Sequence, residues 1–124
     1  MKTTVFPYVG KCVQISLPGQ NLCYSLLKGG ATNGANIIPC NPNDLSQRIC
    51  ILPGSGDNFI MATRDCVSRL DNRGSMDGPG FMYLNDTPNP RHQEFRSTNL
   101  GGNRYHFNLL FNGYGMGYSG GPGP

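Results

Sequence analysis

The sequence predicts an all-β domain of short strands, and three observations carry that prediction. Glycine and proline account for 18 and 10 of the 124 residues, roughly twice ordinary usage, and both break long helices. Apolar residues alternate with polar ones at period two, the period of a half-buried strand. Clusters of Gly, Pro, Asn and Asp recur at intervals of about eight to twelve residues, the spacing of a β-barrel or a two-sheet β-sandwich.

The elements follow in order. Val13, Ile15 and Leu17 alternate with Gln14 and Ser16, and Leu22, Tyr24 and Leu26 alternate with Cys23 and Ser25. Pro18-Gly19-Gln20-Asn21 between them makes a hairpin turn. The same alternation marks strands at 36–39, 48–52, 59–62, 66–70, 81–84, 93–97 and 105–111, with turns at 28–30, 53–57, 72–74 and 99–103. One helical turn is expected at 42–46, capped by Asn43 or Asp44. From 112 onward the chain carries no charge, and Gly113, Gly115 and Gly117 alternate with Tyr114, Met116 and Tyr118. A strand there has one bare face that another backbone can approach, and 120–124 reads as a flexible Gly/Pro tail.

Length and charge narrow the class. At 124 residues the chain holds one domain. Its formal charge of +3 demands neither a nucleic-acid partner nor a membrane surface. The longest apolar runs, 49–52 and 109–111, fall far short of the roughly 20 residues of a membrane-spanning helix. Residues 2–7 lack the apolar stretch of a secretory signal, so Met1 is consistent with a start added to a processed or recombinant chain. Five cysteines, at 12, 23, 40, 50 and 66, point to an oxidising, secreted or extracellular setting, and an odd number leaves one thiol free or bonded to another chain. Buried thiols and a metal site are the rival readings, although the tightest spacing, Cys40 to Cys50, lacks the close pairs that zinc uses. No cofactor and no metal are expected.

The chain also repeats. Leu22-Cys23-Tyr24-Ser25-Leu26-Leu27 aligns with Asp65-Cys66-Val67-Ser68-Arg69-Leu70, 43 residues on. Asn36-Ile37-Ile38-Pro39-Cys40-Asn41 aligns with Phe81-Met82-Tyr83-Leu84-Asn85-Asp86, and Gln47 with Gln93. The single domain, 1–119, therefore divides into units at about 13–56 and 57–100 and a partial third unit at 101–119.

Cys23 to Cys40, the loop 41–46 and Gln47-Arg48-Ile49 together resemble a ricin-B-type β-trefoil repeat. The resemblance extends over roughly 13–100. It implies a β-trefoil-like barrel, with the sandwich as alternative, and a Cys23–Cys40 disulfide worth about 3 kcal/mol by chain entropy. The chain departs from the family in having no Trp, so Ile49 and Phe95 stand where the signature aromatic belongs. Asn85 replaces the second unit's second cysteine, and the third unit runs out before its own Gln landmark. Either the segment before Cys12 supplies a strand in permuted fashion, or a second chain or oligomer covers the incomplete lobe, because exposed ladder edges need covering.

The resemblance also implies a sugar site: an Asp two residues past the first cysteine, an aromatic platform before the second, and an Asn ahead of the signature Gln. In the first unit those positions hold Ser25, Ile38 and Ser46. The second holds Ser68, Tyr83 and His92, with Asp71 as substitute carboxylate, so the candidate ligand-binding set is Asp71, Tyr83, Asn85, His92 and Gln93. Stacking on an aromatic face with amides and a carboxylate on the hydroxyls is the chemistry such a set offers.

The resulting expectation is a secreted, lectin-like module with a glycan or glycoprotein partner, or the binding part of a toxin-like or host-interacting assembly. A protein-binding module such as a protease inhibitor is the first alternative, working through 53–57 or 76–81. A small secreted ribonuclease is the second, centred on His92, Glu94 and His106 as acid and base, with Arg91, Arg96 and Arg104 nearby for phosphate charge. The module is expected to be non-enzymatic, with no catalytic residue.

Overall fold

A computed structural model describes residues 6–28, 34–71 and 83–109. Strands β1 (Cys12–Val13), β2 (Leu22–Leu27), β3 (Gly34–Pro39) and β4 (Ile49–Pro53) are followed by β5 (Phe59–Ala62), β6 (Arg69–Asp71), β7 (Tyr83–Asn85) and β8 (Phe95–Gly101). A 3-10 turn, Leu45–Gln47, precedes β4, and a short helix α1 (Pro90–Gln93) precedes β8 in the same place. Strand β9 (Arg104–Leu109) opens a third set. The sequence expectations for 81–82, 110–111, 113–118 and the tail lie outside the described residues, as do the turns at 29–30 and 72–74.

All pairings are antiparallel. β1 lies beside β4, β4 beside β5, β5 beside both β6 and β8, and β8 beside β9, while β2 and β3 form a hairpin of their own. Among the described residues, seven strands thus join in one sheet, with β2–β3 as a second, two-stranded one.

Period-two alternation sends Ile49 and Ile51 of β4, Phe59 and Met61 of β5, Phe95 of β8, and Phe107 and Leu109 of β9 into one core with Phe6, Leu70 and Leu84. Each such side chain contributes about 1.5–3 kcal/mol when fully buried. Phe59 stacks with Phe95 at 6.2 Å between centroids, and Phe6 lies 4.7 Å from Phe59. Ile49 and Phe95, at the positions of the missing Trp, are 1% and 0% exposed. Branched and aromatic side chains there fill the centre without an indole, and without a ring nitrogen that would need a partner.

The ladders set the register between the two units. Val13 faces Ile49 as Phe59 faces Phe95. Leu17 N–H donates to the Leu22 carbonyl at 2.9 Å, and Thr63 N–H donates to Ser68 at 2.9 Å. Both opening hairpins close over five residues, so Leu22 corresponds to Ser68, and Ser25 to Asp71. The Cys-x-Ser alignment read from sequence is therefore three residues out of step. Cys66 belongs to the hairpin turn, where it is exposed and adopts φ 64°, and it has no place on the strand beside Asn85. The other four cysteines are paired: Cys12 with Cys50, directly across the β1–β4 ladder, and Cys23 with Cys40.

Candidate functional site

Each unit centres on the glutamine that ends its helical turn. Gln47 is fully buried; its Nε2 donates to Pro39 O at 3.0 Å and to Asp44 Oδ2 at 3.3 Å. Its Oε1 accepts from Asn41 N and from Gln14 Nε2, both at 3.0 Å. Asp44 also caps the turn, accepting from Ser46 N at 3.0 Å and Ser46 Oγ at 2.7 Å, and these bonds hold its carboxyl below the usual carboxylate range.

Gln93 repeats the plan with one substitution. Its Nε2 donates to Thr87 O at 2.9 Å and its Oε1 accepts from Asn89 N at 2.9 Å. The carboxylate partner now comes from a strand: Asp71 Oδ2 accepts from Gln93 Nε2 at 2.9 Å and from Asn85 Nδ2 at 3.2 Å. Asp71 and Gln93 are each 1% exposed, and buried groups of this kind stay folded only when bonded. In the first unit the position of Asp71 is filled by the buried Ser25, whose hydroxyl is 2.6 Å from that of Ser46.

Four of the five candidate residues therefore meet. Tyr83 lies directly across the β6–β7 ladder from Asp71, and Asn85 lies across from Arg69. Tyr83, Asn85 and His92 are half-buried, whereas Asp71 and Gln93 sit behind them. His92 precedes Gln93 within α1, a helix that the strand expected at 93–97 overlooked. Its signal was present: Pro90 stands at the first helical position, where its missing N–H costs nothing. Beside this cluster Asp86 pairs with Lys28 and accepts from the Ser68 hydroxyl. The Lys28 ammonium, then Ser68, hold its carboxyl below the usual range.

The residues of the nuclease alternative are arranged otherwise. Glu94 is 4% exposed, and its carboxylate accepts from Ser55 N at 3.1 Å, Ser55 Oγ at 3.1 Å and Asn58 Nδ2 at 3.2 Å. It braces the β4–β5 turn from within, where a base needs access to a substrate proton. Across β8 and β9, Arg96 faces Asn108 and His106 faces Thr98, on strand positions separate from that turn.

No protein-family model matches the sequence, and no curated protein matches it either. Two solved structures share its fold. One is ThreeFoil, a designed threefold-symmetric protein, at 16% identity and a TM-score of 0.68 over 91% of this chain and 85% of that one. The other is the lectin of Polyporus squamosus, bound to the human-type influenza-binding epitope Neu5Acα2-6Galβ1-4GlcNAc, at 16% identity and a TM-score of 0.73. That match covers 95% of this chain and 43% of the lectin, so the chain spans less than half the lectin's length. With its repeated four-strand units, its buried glutamines and these likenesses, the chain has the fold of a β-trefoil.

Proposed function

We propose that this chain is a non-enzymatic carbohydrate-binding module of the extracellular space, a lectin or the glycan-recognising part of a toxin-like or host-interacting assembly. The observation that carries the reading is the fixed polar array of Asp71, Asn85 and Gln93 behind Tyr83. Asp71 occupies the second-unit counterpart of Ser25, the family's carboxylate position, so it needs no special substitution argument. Its burial divides the roles: Asp71, itself held by Gln93, and the Thr87 N–H orient Asn85, while Tyr83, Asn85 and His92 meet the sugar. Preorganised amides beside a ring suit hydroxyl recognition. Two disulfides and the lectin neighbour support the same reading. The test is a glycan array on oxidised protein, with saturable binding lost in Tyr83→Ala and Asn85→Ala; an array on which nothing binds refutes it.

A protein-binding role draws support from one observation. The turn at 53–57 is largely exposed yet tied down by Glu94 through two hydrogen bonds from Ser55 and a third from the adjoining Asn58, as a rigid inhibitory loop would be. Titration of a serine-protease panel distinguishes it, since such inhibition is indifferent to Tyr83.

A further inference from the structure

A groove of about 540 Å³ lies between the segment around β1 and the start of β9, away from Asp71. Phe6 and Phe107, both buried, form its apolar floor. Tyr8 and Tyr105 are half-buried and stand at 85° to each other with centroids 6.3 Å apart, making an aromatic corner. The Tyr8 hydroxyl donates to Asn103 Oδ1 at 2.7 Å, which fixes both groups. Gln14, whose amide donates to Gln47 and Asn41, also lines the groove. Arg104 and Ser16 complete the polar rim. Among the described residues no acidic side chain lines the groove, and Arg104 is its one charged lining residue.

We infer that this groove is a second saccharide subsite, specific for a sugar ring that carries a carboxylate. The inference rests on the carbohydrate-binding reading but uses a different surface. A pyranose offers one apolar face, which a tyrosine ring covers, and a circle of hydroxyls, which Asn103, Gln14 and Ser16 can meet. Arg104 adds what a neutral sugar would not use: a planar, permanently charged fork that matches a carboxylate with two parallel hydrogen bonds. The lack of an acidic side chain among the described lining residues favours an anionic ligand for the same reason.

Calorimetric titration of the oxidised protein with sialyl-N-acetyllactosamine, with a glucuronate-containing disaccharide, and with neutral N-acetyllactosamine tests the inference and separates sialate from uronate. One of the acidic sugars is expected to bind at least tenfold more tightly than the neutral one, and to lose about tenfold in Arg104→Gln and in Asn103→Ala. The losses in Arg104→Gln and Asn103→Ala should persist in a Tyr83→Ala background, where the second-unit site is disabled, and amide chemical-shift changes should centre on 8, 14 and 103–105. If Arg104→Gln and Asn103→Ala bind like wild type while Tyr83→Ala does not, the groove is refuted and the second-unit site stands. Equal affinity for acidic and neutral sugars also overturns it. If none of the three probes binds and a glycan array is also empty, both readings fall together.

Discussion

Replacing Gln93 by glutamate keeps the side chain's shape and turns its donor into a carboxyl. In wild type Nε2 donates to Asp71 Oδ2 and to Thr87 O, each at 2.9 Å, inside a site where both Gln93 and Asp71 are 1% exposed. A charged carboxylate placed there would face another at contact distance, and at an effective dielectric of about 20 that repulsion exceeds roughly 4 kcal/mol. The folded protein avoids it by keeping the new carboxyl protonated. Holding an ordinary glutamic acid, of reference pKa about 4.3, protonated at pH 7 costs about 4 kcal/mol at about 1.4 kcal/mol per pH unit. The acid has one O–H where the amide had two N–H, so one further hydrogen bond is lost, worth about 1 kcal/mol. The expected destabilisation of Gln93→Glu is therefore about 5 kcal/mol at pH 7. Because the folded state raises the pKa of the new carboxyl, the penalty is present above the unfolded value and shrinks as pH falls toward it, to about 1–2 kcal/mol near pH 4. Gln47→Glu provides the control: its carboxylate neighbour, Asp44, is 3.3 Å away and half-buried, and two donors to Oε1 remain, so both the cost and its pH slope are smaller. Urea unfolding of both variants and wild type at pH 4, 5.5 and 7 measures this. Equal stability of Gln93→Glu and wild type at pH 7, or a penalty that does not change with pH, would refute the argument.

The remaining predictions concern the frame around that site. Without reductant, iodoacetamide should add one label per native chain, at Cys66, and peptide mapping should return Cys12–Cys50 and Cys23–Cys40. Chain entropy values the Cys12–Cys50 bridge, with 38 residues of separation, at about 4 kcal/mol, and Cys23–Cys40, with 17, at about 3 kcal/mol. Paired Cys→Ala variants in chemical denaturation should lose stability in that order. Gly54→Ala would set a methyl 3.1 Å from Asn58 backbone atoms and 3.1 Å from Glu94 Cδ, and thermal melts should show a loss of about 1–3 kcal/mol. Asp86 is held below the usual carboxylate range by Lys28 and Ser68, so its contribution is present at neutral pH and disappears as pH falls below about 4. The Tm difference between wild type and Asp86→Asn should therefore narrow between pH 5 and pH 2.

Strand positions were legible because a one-residue slip moves every apolar side chain to the wrong face. Phe59, Met61 and Phe107 could hardly sit elsewhere than in the core. The hairpin from Val13 to Leu26, the turn capped by Asp44 and the correspondence of Gln47 with Gln93 follow from local chemistry that a sequence displays. The register of the second unit was harder to read, because its most conspicuous landmark misleads. Cys66 resembles Cys23 in its neighbours but lies in a turn, and only the hydrogen bond from Thr63 to Ser68 reveals that Asp71 answers to Ser25. A turn of fixed length outranks a three-letter match, since the ladder must close before any side chain can find its place. The partner of Glu94 was hidden for a different reason: Ser55 and Asn58 are 39 and 36 residues away, and nothing local announces a buried carboxylate.

The two glutamines connect the fold to the proposed recognition. Each ties the end of its middle strand to the turn before the next barrel strand, using both ends of one amide, and this is a structural need that both units share. They differ in where the carboxylate partner comes from. In the first unit it is Asp44, three residues away in the same turn; in the second it is Asp71, brought from another strand and bonded to Asn85 as well. A local Asp would have sufficed for stability, as the first unit shows. Recruiting Asp71 buries a carboxylate at some cost and holds Asn85 Nδ2, while Asn85 Oδ1 accepts from Thr87 N at 3.0 Å, so the amide next to Tyr83 is fixed at both ends. That difference between the two units, a buried carboxylate that carries a second amide in one and a local carboxylate in the other, is the ground on which we propose recognition in the second.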